Sequence, residues 1–196
     1  MKENLTDIQL RIARGDEGAL AALYQQFHKR LQHFAKALLR NDEIAEEVVE
    51  DVFVKLWGRR DKITEIGNIT VYLYVAVKNQ SLNELSRMAK ELVNTSFNYL
   101  DIELEQCCAN PHELMVTAEM MQRMQHAIDA LPPRCKMIFK LIREDGLKYK
   151  EVGEILNISI NTIDAQMAIA VKRICTALQI EKTHRTALSP GLIKKV

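Results

Sequence analysis

A chain of 196 residues allows one domain or two small ones, and 47% hydrophobic with 27% charged residues is the composition of a protein that buries a core. Only seven glycines and four prolines argue against a β-sandwich or barrel, which needs frequent turn signals, and leave long helices as the natural reading. A formal net charge of +1 argues against strong unaided binding to duplex DNA, because phosphate neutralisation drives the non-specific part of such binding; a larger partner would have to carry the positive charge.

The first half reads as a series of capped helices. Thr6 is a candidate cap for a helix that ends near Arg14 and Gly15. Asp16 opens a long amphipathic helix with Leu20, Leu23, Tyr24, Phe27, Leu31, Phe34, Ala35 and Leu38 at helical spacing. Asn41 or Asp42 starts a third helix, which closes at Trp57 and Gly58. Its apolar stripe is Ile44, Ala45, Val48, Val49, Val52 and Phe53, and Glu46, Glu47, Glu50 and Asp51 occupy the other side. Most charge runs of this kind simply solvate an outer face. A looser segment from Arg59 to Gly67 follows, and Asn68 caps a fourth helix running to about Leu92.

From Glu91 to Gln122 the chain has no Lys or Arg but six acidic residues, among them Asp101, Glu103 and Glu105. This composition predicts an acidic linker over residues 93–112, between a first domain of residues 1–92 and a second of residues 113–180. Residues 181–196 read as a loose tail. The fold class expected is all-α, as two small helical domains. The four cysteines, Cys107, Cys108, Cys135 and Cys175, form no CxxC pair, and Cys107, Cys108 and His112 are too few for a zinc site. Free thiols, no signal peptide and no apolar run of ~20 residues predict a cytoplasmic protein that does not insert into a membrane. The five histidines (His28, His33, His112, His126 and His184) are scattered with no HExxH or related spacing, so no catalytic residue, metal or cofactor is expected.

The second domain contains a helix-turn-helix. Tyr149 to Leu156 is one short helix, Asn157-Ile158-Ser159 a tight turn, and Asn161 to about Cys175 a second helix that Ser159 can cap. Val152, Ile155 and Leu156 face inward with Ile163, Met167, Ala170 and Ile174, and Ile158 plugs the turn. Gly153 costs about 1 kcal/mol relative to Ala within a helix, which close approach of the two helices would offset. The outer face of the second helix presents Asn161, Asp164, Ala165, Ala168 and Lys172. Its small residues let a helix lie deep in a major groove, Asn161 and Gln166 suit adenine, and Asp164 suits a cytosine amino group. Plain helical bundles also use tight turns. The capping Ser and the non-apolar outer face favour DNA reading.

Three stretches carry a family resemblance: Leu131-Pro-Pro-Arg-Cys-Lys-Met-Ile-Phe139, Gly146-Leu-Lys-Tyr-Lys-Glu-Val152, and Ile158-Ser159 followed by Asn161-Thr162-Ile163. They resemble region 4 of the sigma-70 family, in its extracytoplasmic-function (ECF) group. Independently, Ala45-Glu-Glu-Val-Val-Glu-Asp-Val-Phe53 with Lys55-Leu56-Trp57 resembles region 2.2, and Tyr72-Leu-Tyr-Val-Ala-Val-Lys-Asn79 resembles the promoter-melting segment of region 2. Together the matches span about residues 10–180.

The resemblance implies an alternative sigma factor that directs core RNA polymerase to particular promoters. Glu46, Glu47, Glu50, Asp51 and Phe53 would meet the β′ clamp helices, and region 4 the β flap. Asn68, Lys78, Asn79 and Arg87 would contact the opened −10 element, with a flipped base held near the loop from Thr64 to Thr70. Ser159, Asn161, Thr162, Asp164, Ala165, Ala168 and Lys172 would read the −35 element. An anti-sigma factor, membrane-anchored in some relatives, is implied as a partner. Two departures from the family pattern are Gly153 in place of the usual Ala, and Asp164, Ala165, Ala168 and Ile169 where polar or basic groups are common. The rival reading is an autonomous regulator with residues 1–92 as a sensor, but a sensor has no reason to carry the motifs at 45–57 and 72–79.

Overall fold

The computed structural model describes residues 4–94 and 115–178. Among these residues there are eight α-helices, one 3-10 helix and no strand. The order is α1 (Leu5–Ala13), α2 (Glu17–Leu39), α3 (Asp42–Gly58), the 3-10 helix (Arg60–Glu65), α4 (Ile69–Asn94), α5 (Met115–Asp129), α6 (Pro133–Arg143), α7 (Tyr149–Leu156) and α8 (Ile160–Ala177). The all-α class and the helix-turn-helix stand. The expected linker beyond Asn94, the tail, Cys107, Cys108 and His112 lie outside the described residues.

Side-chain caps set the helix starts. Asp16 accepts from the Ala19 amide at 3.1 Å and from Arg11 Nε at 2.9 Å, and these bonds hold its carboxyl below the ordinary value. Asn41 accepts from the Ile44 amide at 3.0 Å, and Asn68 from the Val71 amide at 3.2 Å. At the first helix Asn4 is the cap, accepting from the amide of Thr6, which lies inside α1. An Asn cap two residues ahead competes successfully with Thr, the weaker capping residue. The segment expected to be loose contains the 3-10 helix, anchored by the fully buried Ile63. Gln9 of α1 donates from one amide nitrogen to the carbonyls of Ile63 (2.8 Å) and Ile66 (2.9 Å); the Ile63 carbonyl also accepts from the Ile66 amide at 3.2 Å, so the side chain adds a second bond there and supplies a donor to Ile66.

In the first unit α2 packs against α3 and α4, and α1 against α2 and the 3-10 helix. Leu23, Phe27, Leu31, Val49, Val52, Leu56 and Leu73 fill its centre. Each fully buried side chain of this size contributes on the order of 1.5–3 kcal/mol of hydrophobic stabilisation. In the second unit Ala127, Ile128, Leu131, Cys135, Ala170 and Ile174 pack beneath α5, α6 and α8. Burial pushes the Cys135 thiol up, and its S–H donates to the Gln166 carbonyl at 3.2 Å. A larger apolar cluster runs without a break from the first unit into Ile138, Leu141, Val152, Ile155 and Ile163 of the second. The second unit is therefore seated on the first, with α7 against α4.

Candidate polymerase and promoter interfaces

The helix-turn-helix is fixed by local chemistry. Asn157 closes α7 in the left-handed region at φ 54°, a conformation Asn tolerates better than most residues. Ser159 then accepts from the Thr162 amide at 3.2 Å and caps α8; such a cap contributes about 1 kcal/mol. A Cβ on Gly153 would stand 3.0 Å from the Ile158 carbonyl oxygen and 3.7 Å from Ile163 Cδ1. The close approach expected at this glycine is thus mainly to the turn's backbone, with the second helix one contact further out.

Ile163, Met167, Ala170 and Ile174 are buried, as their spacing predicts. Asn161, Asp164, Ala165, Ala168 and Lys172 are all exposed on the opposite side. Thr162 and Gln166 are half-buried. The hydroxyls of Ser159 and Thr162 lie 2.9 Å apart and are hydrogen-bonded to each other, so these two are already engaged. Helix α8 begins at Ile160, which sets Asp164 beyond its first turn and weakens any account of that carboxylate as a partner of the helix dipole. Lys148 and Lys150, both exposed, flank the turn; Lys150 borders a shallow open groove with Glu154 and Asn157. Sequence reasoning passed over both lysines as part of a motif, yet each is a cation beside the turn.

On α3, Glu46, Glu47, Glu50 and Asp51 are exposed together. Their field is felt at Tyr24, whose phenol is pushed up first by burial and then by Glu50 and Glu46. Phe53 does not belong to this face. It is buried in the core with its ring edge-on to Tyr24 at 5.0 Å, because α3 turns its 45-48-49-52-53-56 stripe inward. The apolar residue the face does offer is Val54, 70% exposed and one turn beyond Glu50 and Asp51. Only the direction of burial distinguishes Val54 from its buried neighbours, so the stripe alone could not find it.

On α4, Asn79 is exposed. Arg87 is exposed and paired with Glu84 at 2.9 Å. Asn68 and Lys78 face the second unit: Asn68 Nδ2 donates to Glu151 Oε1 at 3.0 Å, and Lys78 Nζ donates to the Ile155 carbonyl at 2.8 Å. The structure therefore brings the four −10 candidates onto one helix and its cap, with Asn68 and Lys78 engaged by the second unit and Arg87 by Glu84 of its own helix. Among the described residues no group of three His, Cys, Asp or Glu could hold a metal ion, and no helix is long and apolar enough to cross a membrane.

Comparison with known proteins gives this geometry its context. The family described as Sigma-70 region 2 matches residues 23–91, and that described as Sigma-70, region 4 matches residues 121–174, together well over half of the chain. The ECF RNA polymerase sigma-E factor of Escherichia coli (strain K12) is 23% identical over 187 residues, covering 91% of this chain and 97% of the relative. The ECF RNA polymerase sigma factor SigW of Bacillus subtilis (strain 168) is 22% identical over 169 residues, covering 80% and 87%. Among solved structures, the fold resembles the sigma factor RpoE, determined in complex with the anti-sigma factor NepR from Bartonella quintana, with a TM-score of 0.57 and 20% identity over 82% of this chain and 98% of that one. It also resembles CnrH, determined in complex with the cytosolic domain of CnrY, with a TM-score of 0.53 and 14% identity over 89% and 96%. Two sigma regions in their family order, the second closing on a helix-turn-helix with an exposed polar face, make this chain a member of the sigma-70 family, in its extracytoplasmic-function group, acting in promoter-directed initiation of transcription.

Proposed function

We propose that residues 1–92 dock on core polymerase and open the −10 element, that residues 113–180 read the −35 element, and that residues 93–112 join the two. The observation that carries this reading is the division of α8 into a buried stripe and an exposed side whose basic residues, Lys172 and Arg173, stand only at its far end. Such a face discriminates by hydrogen bonds to base edges more than by phosphate charge. The carboxylates of α3 around Val54 suit a basic surface with an apolar contact at its centre, which we assign to the β′ clamp helices, and the second unit is assigned to the β flap. Asn79 and Arg87 reach the opened strand, and Asn68 and Lys78 join them when released from α7. Ser159 and Thr162 hold α8 in place, while Lys148 and Lys150 contact phosphates beside the turn. The chain acts in the cytoplasm by binding, without catalysis, metal or cofactor. The neighbouring sigma factor RpoE was solved with an anti-sigma factor, and CnrH with the cytosolic domain of CnrY, which supports an anti-sigma partner here, including a membrane-anchored one.

The test is transcription in vitro by purified core polymerase on a genomic library, with and without the chain. A set of start sites that appears only with the chain and shares spaced upstream elements is the expected result. Duplex DNA shifted by the chain alone, with no start sites gained, would favour the autonomous regulator instead.

A further inference from the structure

The exposed side of α8 is built from two rows of side chains four residues apart, the spacing at which helix neighbours stand one above the other. One row runs Asn161, Ala165 and Ile169, the other Asp164, Ala168 and Lys172, and all six are exposed. Each row starts with a polar group and continues into a methyl. The first row then reaches Ile169, which is 40% exposed, and only beyond it do the cations Lys172 and Arg173 appear. Among the described residues Ile169 belongs to neither apolar cluster, although α8 packs its opposite stripe against α5, α6 and α7. A lone exposed aliphatic residue is ordinary on any protein. The other two on α8 have local reasons: Ile160 borders the groove beside the turn with Lys150, and Val171 stands four residues beyond the buried Met167, at the margin of the core stripe. Ile169 has no such reason. It stands one turn beyond Ala165 and beside Ala168, so three apolar side chains form one patch in the middle of a polar face.

The size of this patch selects its occupant. A stable protein interface buries about 800 Å² on each partner around large apolar or aromatic anchors, and one Ile with two Ala side chains falls far short of that. It does match a base edge. In the major groove the bases present hydrogen-bond donors and acceptors, and one apolar group, the C5 methyl of thymine. Ala165 and Ala168 keep the helix backbone close to the base edges, while the longer Ile169 side chain reaches out beside them. An amino or carbonyl group placed against Ile169 would give up water and gain no partner. A thymine methyl placed there gives up only unfavourable contact with water. The cations Lys172 and Arg173, at the far end of the helix, are positioned for the phosphates beyond such a contact.

We infer that Ile169, with the methyls of Ala165 and Ala168 beside it, is a specificity-determining contact to the C5 methyl of a thymine in the −35 element. The inference rests on the assignment of the α8 face to that element and deepens it. Hydrogen bonds from Asn161 and to Asp164 sort base edges by their donors and acceptors, whereas the patch selects on a methyl group alone. The two kinds of contact are therefore separable by chemistry on the DNA.

The experiment uses holoenzyme formed from the full chain and core polymerase, on the promoter it prefers from a library randomised at −35. Each thymine of that element is replaced in turn by deoxyuridine, which keeps the base pair and the O4 acceptor and lacks only the methyl. At one or two positions half-maximal promoter occupancy is expected at about fourfold higher holoenzyme concentration, the effect of one buried methyl. Ile169→Ala, an exposed change to a strong helix former that leaves α8 intact, is expected to bind the thymine and deoxyuridine forms of such a position alike. The same variant is expected to keep the wild-type response to base changes elsewhere in the element. A preferred element without any A·T pair would overturn the inference. So would equal occupancy of every thymine and deoxyuridine pair by wild type, with base-pair changes at −35 still abolishing binding; the −35 assignment would then stand without the methyl contact. A fourfold methyl effect that persists undiminished in Ile169→Ala would place the contact on another residue and overturn it as well. Indifference of the wild type to every base change at −35 would remove the assignment of α8 itself, and the inference with it.

Discussion

Asp164 is a carboxylate in the middle of the face proposed to read bases, and a carboxylate can only accept hydrogen bonds. It suits the amino group of cytosine and is repelled by guanine O6 and N7. Asp164→Arg is expected to change which −35 sequence is preferred in a randomised library transcribed by holoenzyme, by about 1–3 kcal/mol per altered base pair. An unchanged preference with uniformly lower activity would remove the readout role. This face was legible in the sequence because the 163-167-170-174 stripe fixes its opposite side. Phe53 was misread because a functional motif and a core stripe coincide on α3, and a large aromatic residue belongs to whichever side is buried. The role of Gln9 was illegible for a different reason: its acceptors are backbone carbonyls more than 50 residues away, which no local pattern records.

At the scale of the element, α1 to α4, α7 and α8 and most of their caps followed from periodicity and from Asp16, Asn41, Asn68 and Ser159, whereas α5 and α6 received no bounds from the sequence. The 3-10 helix did not follow either, since six residues with one buried side chain give no repeating signal. Helix α3 offers the clearest test of an element acting as a unit. Its carboxylates are all exposed, so reversing them leaves the inward stripe untouched: Asp51 lies 3.9 Å from Lys55 at an exposed pair that contributes little. Glu47→Lys with Asp51→Lys is expected to abolish co-purification with core polymerase while helical content and thermal midpoint stay near wild type. Retention of core at wild-type levels would move the docking surface off α3.

For the whole molecule, the seating of one unit on the other is what the sequence concealed. Its hydrogen bonds join residues 71 to 115 positions apart; Asn68 and Lys78 read locally as DNA contacts, and Arg30 and Asp145 carried no local signal at all. The seat also carries a pH dependence with a definite sign. Burial raises the Asp145 carboxyl above its ordinary value; the Tyr74 hydroxyl, Arg30 and His33 pull it down, and Glu144, itself 3.8 Å from Lys140, pushes it up. Burial and the Asp145 charge likewise hold the Tyr74 phenol well above its usual value, so it remains a donor. A seated chain thus binds a proton more tightly than a separated one. The charged carboxylate opposes seating at neutral pH, and that opposition fades as pH falls through the raised value towards the ordinary one. Scattering measurements are expected to show compaction on mild acidification, and Asp145→Asn is expected to stay compact at neutral pH with a flat profile; a wild-type radius independent of pH would refute the linkage. The buried amide of Gln9 extends this reasoning to the rear of the molecule. It tethers the carbonyls of Ile63 and Ile66, just ahead of Asn68, so the first helix braces the rim of the surface proposed to open the strand. Inherited changes in α1 would then surface as altered start-site melting with an unaltered upstream preference, a phenotype easily mistaken for a lost DNA contact.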